Sequence, residues 1–349
     1  MNNKYILQFG SITGMPFQYA RAARQVGLNS KNVIQVNRDF GELNRGLPFD
    51  ESIAQPSDSR LARGYKKARF FFGDVVPNTS LVHYYSDSLF RRYLDCGILS
   101  GLKRPMVISF AGTDVRLESI ARKLNPHVFI PPYSAGEKKI KKKLERIGKY
   151  IRFAATDFEL AGYVEPYFEK VFYLPQPVDI ENFTFAPPDK HTACPVVIHI
   201  PTNREIKGTA YIEAAVERLK SDGLNFEFRL LECNLTQEQV KREIAGADIV
   251  ANEIRTGAFG VFALEAMASG KPNISYIRED LVEKYPSDLP NISANPDTIC
   301  QTLKELLSDA ERRVEIGRAG RAYVEKYHTL ETVGEELKRI YTECGLADS

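Results

Sequence analysis

The sequence predicts an α/β protein built from two doubly wound parallel-sheet domains. Three observations carry that expectation. Short runs of β-branched and aromatic residues alternate with helical stretches along 349 residues, the alternation that builds a parallel sheet covered by helices. The series occurs twice, with a proline-rich segment between. A chain of this length also exceeds one comfortable core and suggests two domains of roughly 150–200 residues.

The first series places strands at 5–9, 33–36, 81–85, 106–110, 150–154 and 171–174, with helices such as 17–28 and 88–99 between them. The second places strands at 195–200, 226–231, 247–252 and 273–277, with helices at 210–223 and 259–270. Residues 174–195 hold five prolines and little periodicity. Proline removes a donor and biases its predecessor toward extended backbone, so the segment reads as an interdomain linker. The expected domains are 1–180 and 181–329, with a C-terminal helix within 330–349 packing back on the first. Doubly wound sheets bind ligands at the carboxyl ends of their strands, which makes a cleft between the domains the expected site.

Composition narrows the function. Hydrophobic residues make up 43% and charged residues 26%, and the net charge is only +2, so a nucleic-acid coat is excluded as the global role. The five cysteines, Cys96, Cys194, Cys233, Cys300 and Cys344, are scattered with no C-x-x-C. Neither a disulfide framework nor a zinc site is indicated, and a reducing compartment fits. The opening apolar run is too short for a signal peptide, and no window reaches the ~18 apolar residues of a spanning helix. The expectation is a cytoplasmic protein.

Residues 257–276, GAFGVFALEAMASGKPNISY, carry the sharpest chemical signal. Val261, Phe262, Ala263, Leu264, Ala266, Met267 and Ala268 are apolar all round, the mark of a buried helix, and Glu265 is its single charge. A carboxylate in such a helix is costly unless donors satisfy it, and a ribose diol offers two. Gly257 and Gly260 precede the helix and would let main-chain N–H groups approach a diphosphate there. The plainer reading is a turn, with Glu265 bonded to a protein neighbour. A second stretch, HIPTNREIKGTAYIEAAVERL at 199–219, sets Arg204 and Lys207 between a strand and a helix, a placement suited to diphosphate or to solvent.

Together these stretches resemble glycosyltransferase family 4. Lys207-Gly208 matches that family's loop Lys-Gly. Asp248 with the following strand, then GAFG and LEAMASGKP with Glu265 and Gly270, match its later segment. The resemblance implies the GT-B fold of two facing Rossmann-like domains, with a nucleoside diphosphate sugar as donor substrate and retention at the transferred carbon. It covers 195–277 strongly and the first domain by layout. Two positions depart. The first glutamate of the family's E-x7-E pair is Gly257 here, and the family's phosphate-binding arginine is Thr202, with Arg204 its nearest substitute. Phe259 and Gly260 are then expected to line the sugar-diphosphate turn.

In the first domain, QFGSITGMPFQYARAARQVG resembles the family's opening strand, glycine loop and helix, and Gly10 and Gly14 would pass close to the donor. ISFAGTDVR at 108–116 resembles its H-G-S/T-D segment, with Ala111 at the usual histidine. Asp114 and Arg116 become candidate sugar or acceptor contacts, against the alternative of a helix cap and an exposed arginine. His83 at the end of a strand reads more simply as a packing residue. The run 137–151 sets Ile140, Leu144, Ile147 and Ile151 in one stripe, with Lys138, Lys139, Lys141, Lys142, Lys143 and Arg146 covering the rest. It is either a domain helix with a solvated face or, over 138–149, a peripheral contact with anionic membrane.

The expected reaction is transfer of a sugar to a glycan or lipid-linked acceptor of the cell envelope at the inner face of the membrane. With no Asp-x-Asp in the chain, Lys207, Arg204 and helix N–H groups are expected to neutralise the leaving diphosphate without metal or other cofactor. The alternatives are a GT-B sugar epimerase, a phosphorylase, and a non-catalytic nucleotide-sugar-binding partner of an active transferase.

Overall fold

The computed structural model describes residues 4–11, 14–36, 48–132, 134–231 and 235–347. Cys233 lies outside them. The chain divides into two compact units, one of Met1–Leu117, Ser134–Pro177 and Thr329–Ser349, the other of Glu118–Tyr133 and Val178–His328. Each is a parallel sheet clothed in helices, the architecture expected from the alternation.

The first unit holds seven strands, β1 Tyr5–Phe9, β2 Ser30–Val36, β3 Glu51–Ala54, β4 Thr79–Tyr85, β5 Met106–Ser109, β6 Phe153–Thr156 and β7 Lys170–Tyr173. All pair in parallel in the order β3-β2-β1-β4-β5-β6-β7. The order reverses between β1 and β4, so the crevice of this sheet opens beyond Phe9 and Tyr85. β1 is buried along its whole length, which is why it reads as a continuous apolar run rather than an alternation.

Two elements leave no such signal. β3 is an edge strand with only Ala54 fully buried, so no apolar run announces it. The helix after it, α1 Arg60–Phe70, is turned inside out. Three of its five cations point to protein: Lys66 pairs with Asp58 at 2.7 Å, Arg63 donates to the carbonyl of Pro56 and Lys67 to Gln35. Leu61 and Tyr65 face out, 87% and 69% exposed, and Phe72 in the following turn is 59% exposed. A helix of this polarity gives no inward apolar stripe to read.

The last helix, α2 Leu330–Glu343, belongs to the first unit. Val333, Leu337, Ile340 and Tyr341 join Tyr19, Ala22 and Ala23 in one buried cluster. Beneath it lies a closed polar network. His83 Nε2 donates to Ser109 Oγ at 2.8 Å, and Ser109 passes its own proton to the carbonyl of Ala155 at 2.6 Å. That leaves Nδ1 as acceptor, 2.9 Å from the Tyr341 hydroxyl, which in turn accepts from Gln8 Nε2 at 2.8 Å. Tyr85 donates to Gln8 Oε1 at 2.8 Å. Every member has a partner, as buried polar groups require, and burial drives the His83 pKa down to about 3. His83 is a packing residue.

The second unit holds β8 Val196–His199, β9 Glu227–Leu230, β10 Ile249–Ala251 and β11 Asn273–Ile274, parallel in the order β11-β10-β8-β9. Here the order reverses between β8 and β10. The chain enters at Val178, whose N–H bonds the carbonyl of His328 at 2.7 Å. The expected linker is therefore seated on this unit through Val178 and Phe183, both buried. Glu118–Tyr133, expected in the first domain, also sits here, because Asn125 Nδ2 donates to the carbonyls of Arg255 and Thr256 at 2.7 and 3.1 Å.

Candidate functional site

The site is built where the second sheet reverses. β8 runs into a short helical turn, Arg204–Lys207, and then into helix α3, Thr209–Ser221. His199, at the end of β8, ties the parts together. Its Nδ1 donates to the carbonyl of Ala251 at 2.7 Å and its Nε2 accepts from Thr209 at 2.9 Å. Burial lowers its pKa to about 4, so the ring stays neutral and the tautomer is fixed. Gly208 has φ +83°, and a Cβ there would stand 2.7 Å from Ile254 Cγ1. Only glycine lets this turn lie against the loop after β10, where Ile254 N–H bonds the carbonyl of Lys207 at 3.2 Å.

That approach delivers Lys207 to the end of β10. Its ammonium lies 3.2 Å from Glu253 Oε2 and 3.3 Å from Asn252 Oδ1, and both partners are buried. Glu253 also faces Gly260, since a Cβ at Gly260 would be 3.3 Å from Oε1. Gly260 is the N-cap of helix α4, Val261–Ala268, whose first-turn N–H groups have no intrahelical acceptor. A cation, a carboxylate and a helix N-terminus thus converge at the switch point, where anions are favoured. Glu253 and Asn252 carry no motif signal, which is why the sequence reading passed over them.

Glu265 occupies the second turn of α4, five residues beyond Gly260 and so about 7.5 Å along the axis. Ala263, Leu264, Ala266, Met267 and Ala268 around it are buried. The helix is held by Ala310–Tyr327, where Gly320 lies directly on Met267 and Gly317 on the carbonyl of Gly270. Glu265 itself keeps a partial solvent path. Burial pushes its carboxyl up to about 7, only partly countered by the charge of Lys241. Its carboxyl has no hydrogen-bond or ion-pair partner among the described residues. A raised, unpartnered carboxyl reached from solvent is what a ligand with hydroxyl donors would complete.

Three expected members stand apart. Arg204 does not join Lys207; its guanidinium holds both oxygens of Glu213 at 2.9–3.0 Å in a shallow hollow lined by Tyr211 and Arg255. Phe259 packs on Tyr285, ring centroids 4.9 Å apart, beside the cluster of Leu264 and Met267. Gly257 has φ +92°, and a Cβ there would collide with the Arg278 side chain. A side chain at 257 would have to displace the buried Arg278.

No protein-family model matches the chain. A stretch of 145 residues is 32% identical to a GDP-mannose-dependent monoacylated alpha-(1-6)-phosphatidylinositol monomannoside mannosyltransferase of Corynebacterium glutamicum. The match spans 39% of this chain and 37% of that protein, so well over half of the relative's length lies beyond it. Solved structures match over nearly the whole length. A glycosyltransferase from Rickettsia africae ESF-5 superposes with TM-score 0.66 at 15% identity, over 99% of this chain and 100% of that one. Anabaena Alr3699/HepE in complex with UDP-glucose gives 0.66 at 14% identity, over 97% and 99%. The fold is GT-B.

On the first sheet of this GT-B chain, Gly14 has φ +74° and opens the helix Met15–Gln25. Asp114 is committed to its own loop. It accepts from the N–H groups of Ala111 and Gly112 at 3.0 and 2.9 Å and from Ser86 Oγ at 2.5 Å, with Lys143 at 3.5 Å. Arg116 is also spent. Its guanidinium makes a buried two-pronged pair with Glu159 at 3.0 and 2.8 Å. Burial alone would lower its pKa, but the Glu159 charge and hydrogen bonds raise it. Both are loop and core fasteners in this structure. The basic helix, Glu137–Gly148, buries Ile140, Leu144 and Ile147 in its own unit, leaving Lys138, Lys139, Lys142, Arg146 and Lys149 exposed. No described helix is long and apolar enough to cross a membrane.

Proposed function

We propose that the chain is a glycosyltransferase that moves a sugar from a nucleoside diphosphate donor to a glycan or lipid-linked acceptor, with retention and without a metal ion. The observation that carries this reading is the pairing on α4 of an anion-favouring N-terminus, served by Lys207, with the unpartnered Glu265 about 7.5 Å further along. The first suits a diphosphate and the second a ribose diol, in the order a nucleotide presents them. HepE, which shares the fold, is described with UDP-glucose, and the partial relative is named for GDP-mannose.

In the reaction the acceptor hydroxyl oxygen forms a bond to the anomeric carbon as the bond from that carbon to the diphosphate oxygen breaks. The hydroxyl proton passes to the leaving diphosphate oxygen on the same face. Negative charge grows on the leaving diphosphate. Lys207 and the first-turn N–H groups of α4 meet it from fixed positions, the arrangement in which such stabilisation is strongest. Arg204 can add to it only by leaving Glu213. Glu265 anchors the nucleoside.

A lipid-linked acceptor would place the protein at a bilayer. Two surfaces of the first unit support peripheral contact with anionic lipid: the exposed lysines of 138–149, and the outward Leu61, Tyr65 and Phe72 flanked by the exposed Arg60 and Arg69. Co-sedimentation with anionic but not neutral vesicles tests this.

The non-catalytic reading rests on Gly257, which removes a carboxylate from the donor side. A thermal-shift screen over UDP, GDP and their sugars, followed by assay for sugar release, separates the two. A raised melting temperature with turnover supports the transferase. A raised melting temperature without turnover on any acceptor supports the partner. No shift with any nucleotide defeats both.

A further inference from the structure

Lys207, Glu253 and Gly260 make an arrangement that a donor site does not need if Lys207 alone is to hold phosphate. A buried carboxylate 3.2 Å from a half-buried ammonium, lying against the N-cap of an eight-residue helix, occupies the place of an anionic ligand. Glu253 is only 6% exposed, so its charge is compensated by Lys207 and cannot be left behind unpaired without cost. A diphosphate that takes Lys207 competes with Glu253 for the ammonium and repels it, and a displaced carboxylate then needs new donors.

Resting on the transferase reading, we infer that Glu253 is the specificity-determining residue of the donor site: an internal stand-in for the diphosphate whose displacement is compensated only by a ligand bringing sugar hydroxyls. A nucleoside diphosphate sugar displaces Glu253 from Lys207 and offers its carboxylate hydroxyl donors in exchange. A bare nucleoside diphosphate displaces it and offers none. The site therefore discriminates substrate from product, and after transfer the returning Glu253 competes with the diphosphate for Lys207 and speeds its release.

Gly257 is the other half of this arrangement. No side chain fits at 257 against Arg278, so the carboxylate cannot come from there. Glu253 enters the same loop four residues earlier, anchored by the bond from Tyr276 N–H to its own carbonyl at 2.8 Å and flanked by Asn252. The backbone of the site thus holds its acidic group on the Lys207 side of the helix N-terminus.

The test measures dissociation constants of UDP, GDP, UDP-glucose, GDP-mannose and inorganic pyrophosphate for the wild type, Glu253→Gln and Glu253→Ala by calorimetry, with melting curves to confirm folding. Glu253→Gln keeps the shape and removes the charge. We expect pyrophosphate and the bare diphosphate of the preferred base to tighten about tenfold in this variant while the matching sugar nucleotide does not, so the preference for sugar collapses. Equal changes for diphosphate and sugar nucleotide, or unchanged pyrophosphate binding, overturn the inference. If Glu253→Ala melts early, Glu253→Gln and pyrophosphate still decide. Failure of the wild type to bind any of the four nucleotides defeats the transferase reading itself, and the pyrophosphate series reads the Lys207–Glu253 exchange independently of base and sugar.

Discussion

At the scale of single residues, the candidate site joins an unpartnered carboxyl, Glu265, to a lysine, Lys207, whose pair with Glu253 a ligand can contest. Replacing Glu265 with alanine removes hydrogen bonds to a charged acceptor, and nucleotide affinity is expected to fall about 10- to 100-fold in calorimetry. If Lys207 meets the leaving diphosphate as proposed, Lys207→Ala is expected to lower turnover about 10²–10³-fold with a smaller change in donor KM. The raised carboxyl of Glu265 also sets a pH dependence. With a folded pKa of about 7 against an ordinary value of 4.5, its contribution to stability is present at low pH and is lost as pH rises through 7. A ribose diol donates best to the ionised form, so nucleotide affinity is expected to climb as pH rises through 7 and then level off; a flat profile from pH 6 to 8 contradicts the contact. Asp114 and Arg116 show the opposite state. Their motif positions were legible in the sequence, but Ser86, Lys143 and Glu159, which consume them, are brought in by tertiary structure that no local pattern announces.

At the scale of elements, legibility followed burial. β1, β4 and β8 are buried runs, and the sequence placed each almost to the residue. The last helix, Leu330–Glu343, declared itself by an apolar stripe. β3 and the inverted helix Arg60–Phe70 spend little apolar surface on the core and left nothing to read. The network under the last helix carries a prediction of its own. Tyr341→Phe strands one donor of Gln8 and leaves His83 Nδ1 only the Tyr85 hydroxyl at 3.2 Å, and is expected to cost about 1–3 kcal/mol in urea titrations. Acid should attack the same element. His83 is held neutral with a pKa near 3 in the fold against 6.5 unfolded, so its stabilisation is intact above pH 6.5 and is lost progressively as pH falls toward 3. Gly257 makes the matching backbone case: Gly257→Ala combines a left-handed φ with a clash on Arg278, and is expected to cost about 1–3 kcal/mol or more.

At the scale of the molecule, parallel sheets of seven and four strands present two switch points, and the candidate site lies at the second. The sequence identified that region through LEAMASGKP and Lys207-Gly208, because helix, glycine and lysine are local features. It missed Glu253 because an acidic residue in an irregular loop has no period, and only the close turn at Gly208 carries it to Lys207. On the proposed reading, Lys207 and Glu265 grip opposite ends of one nucleotide. The direct measurement is calorimetric binding of UDP and GDP to the wild type, Lys207→Ala, Glu265→Ala and the double variant. Loss of affinity in both single variants, with the nucleoside alone sensitive to Glu265→Ala and indifferent to Lys207→Ala, is the expected result. Undiminished nucleotide binding in the double variant contradicts the account.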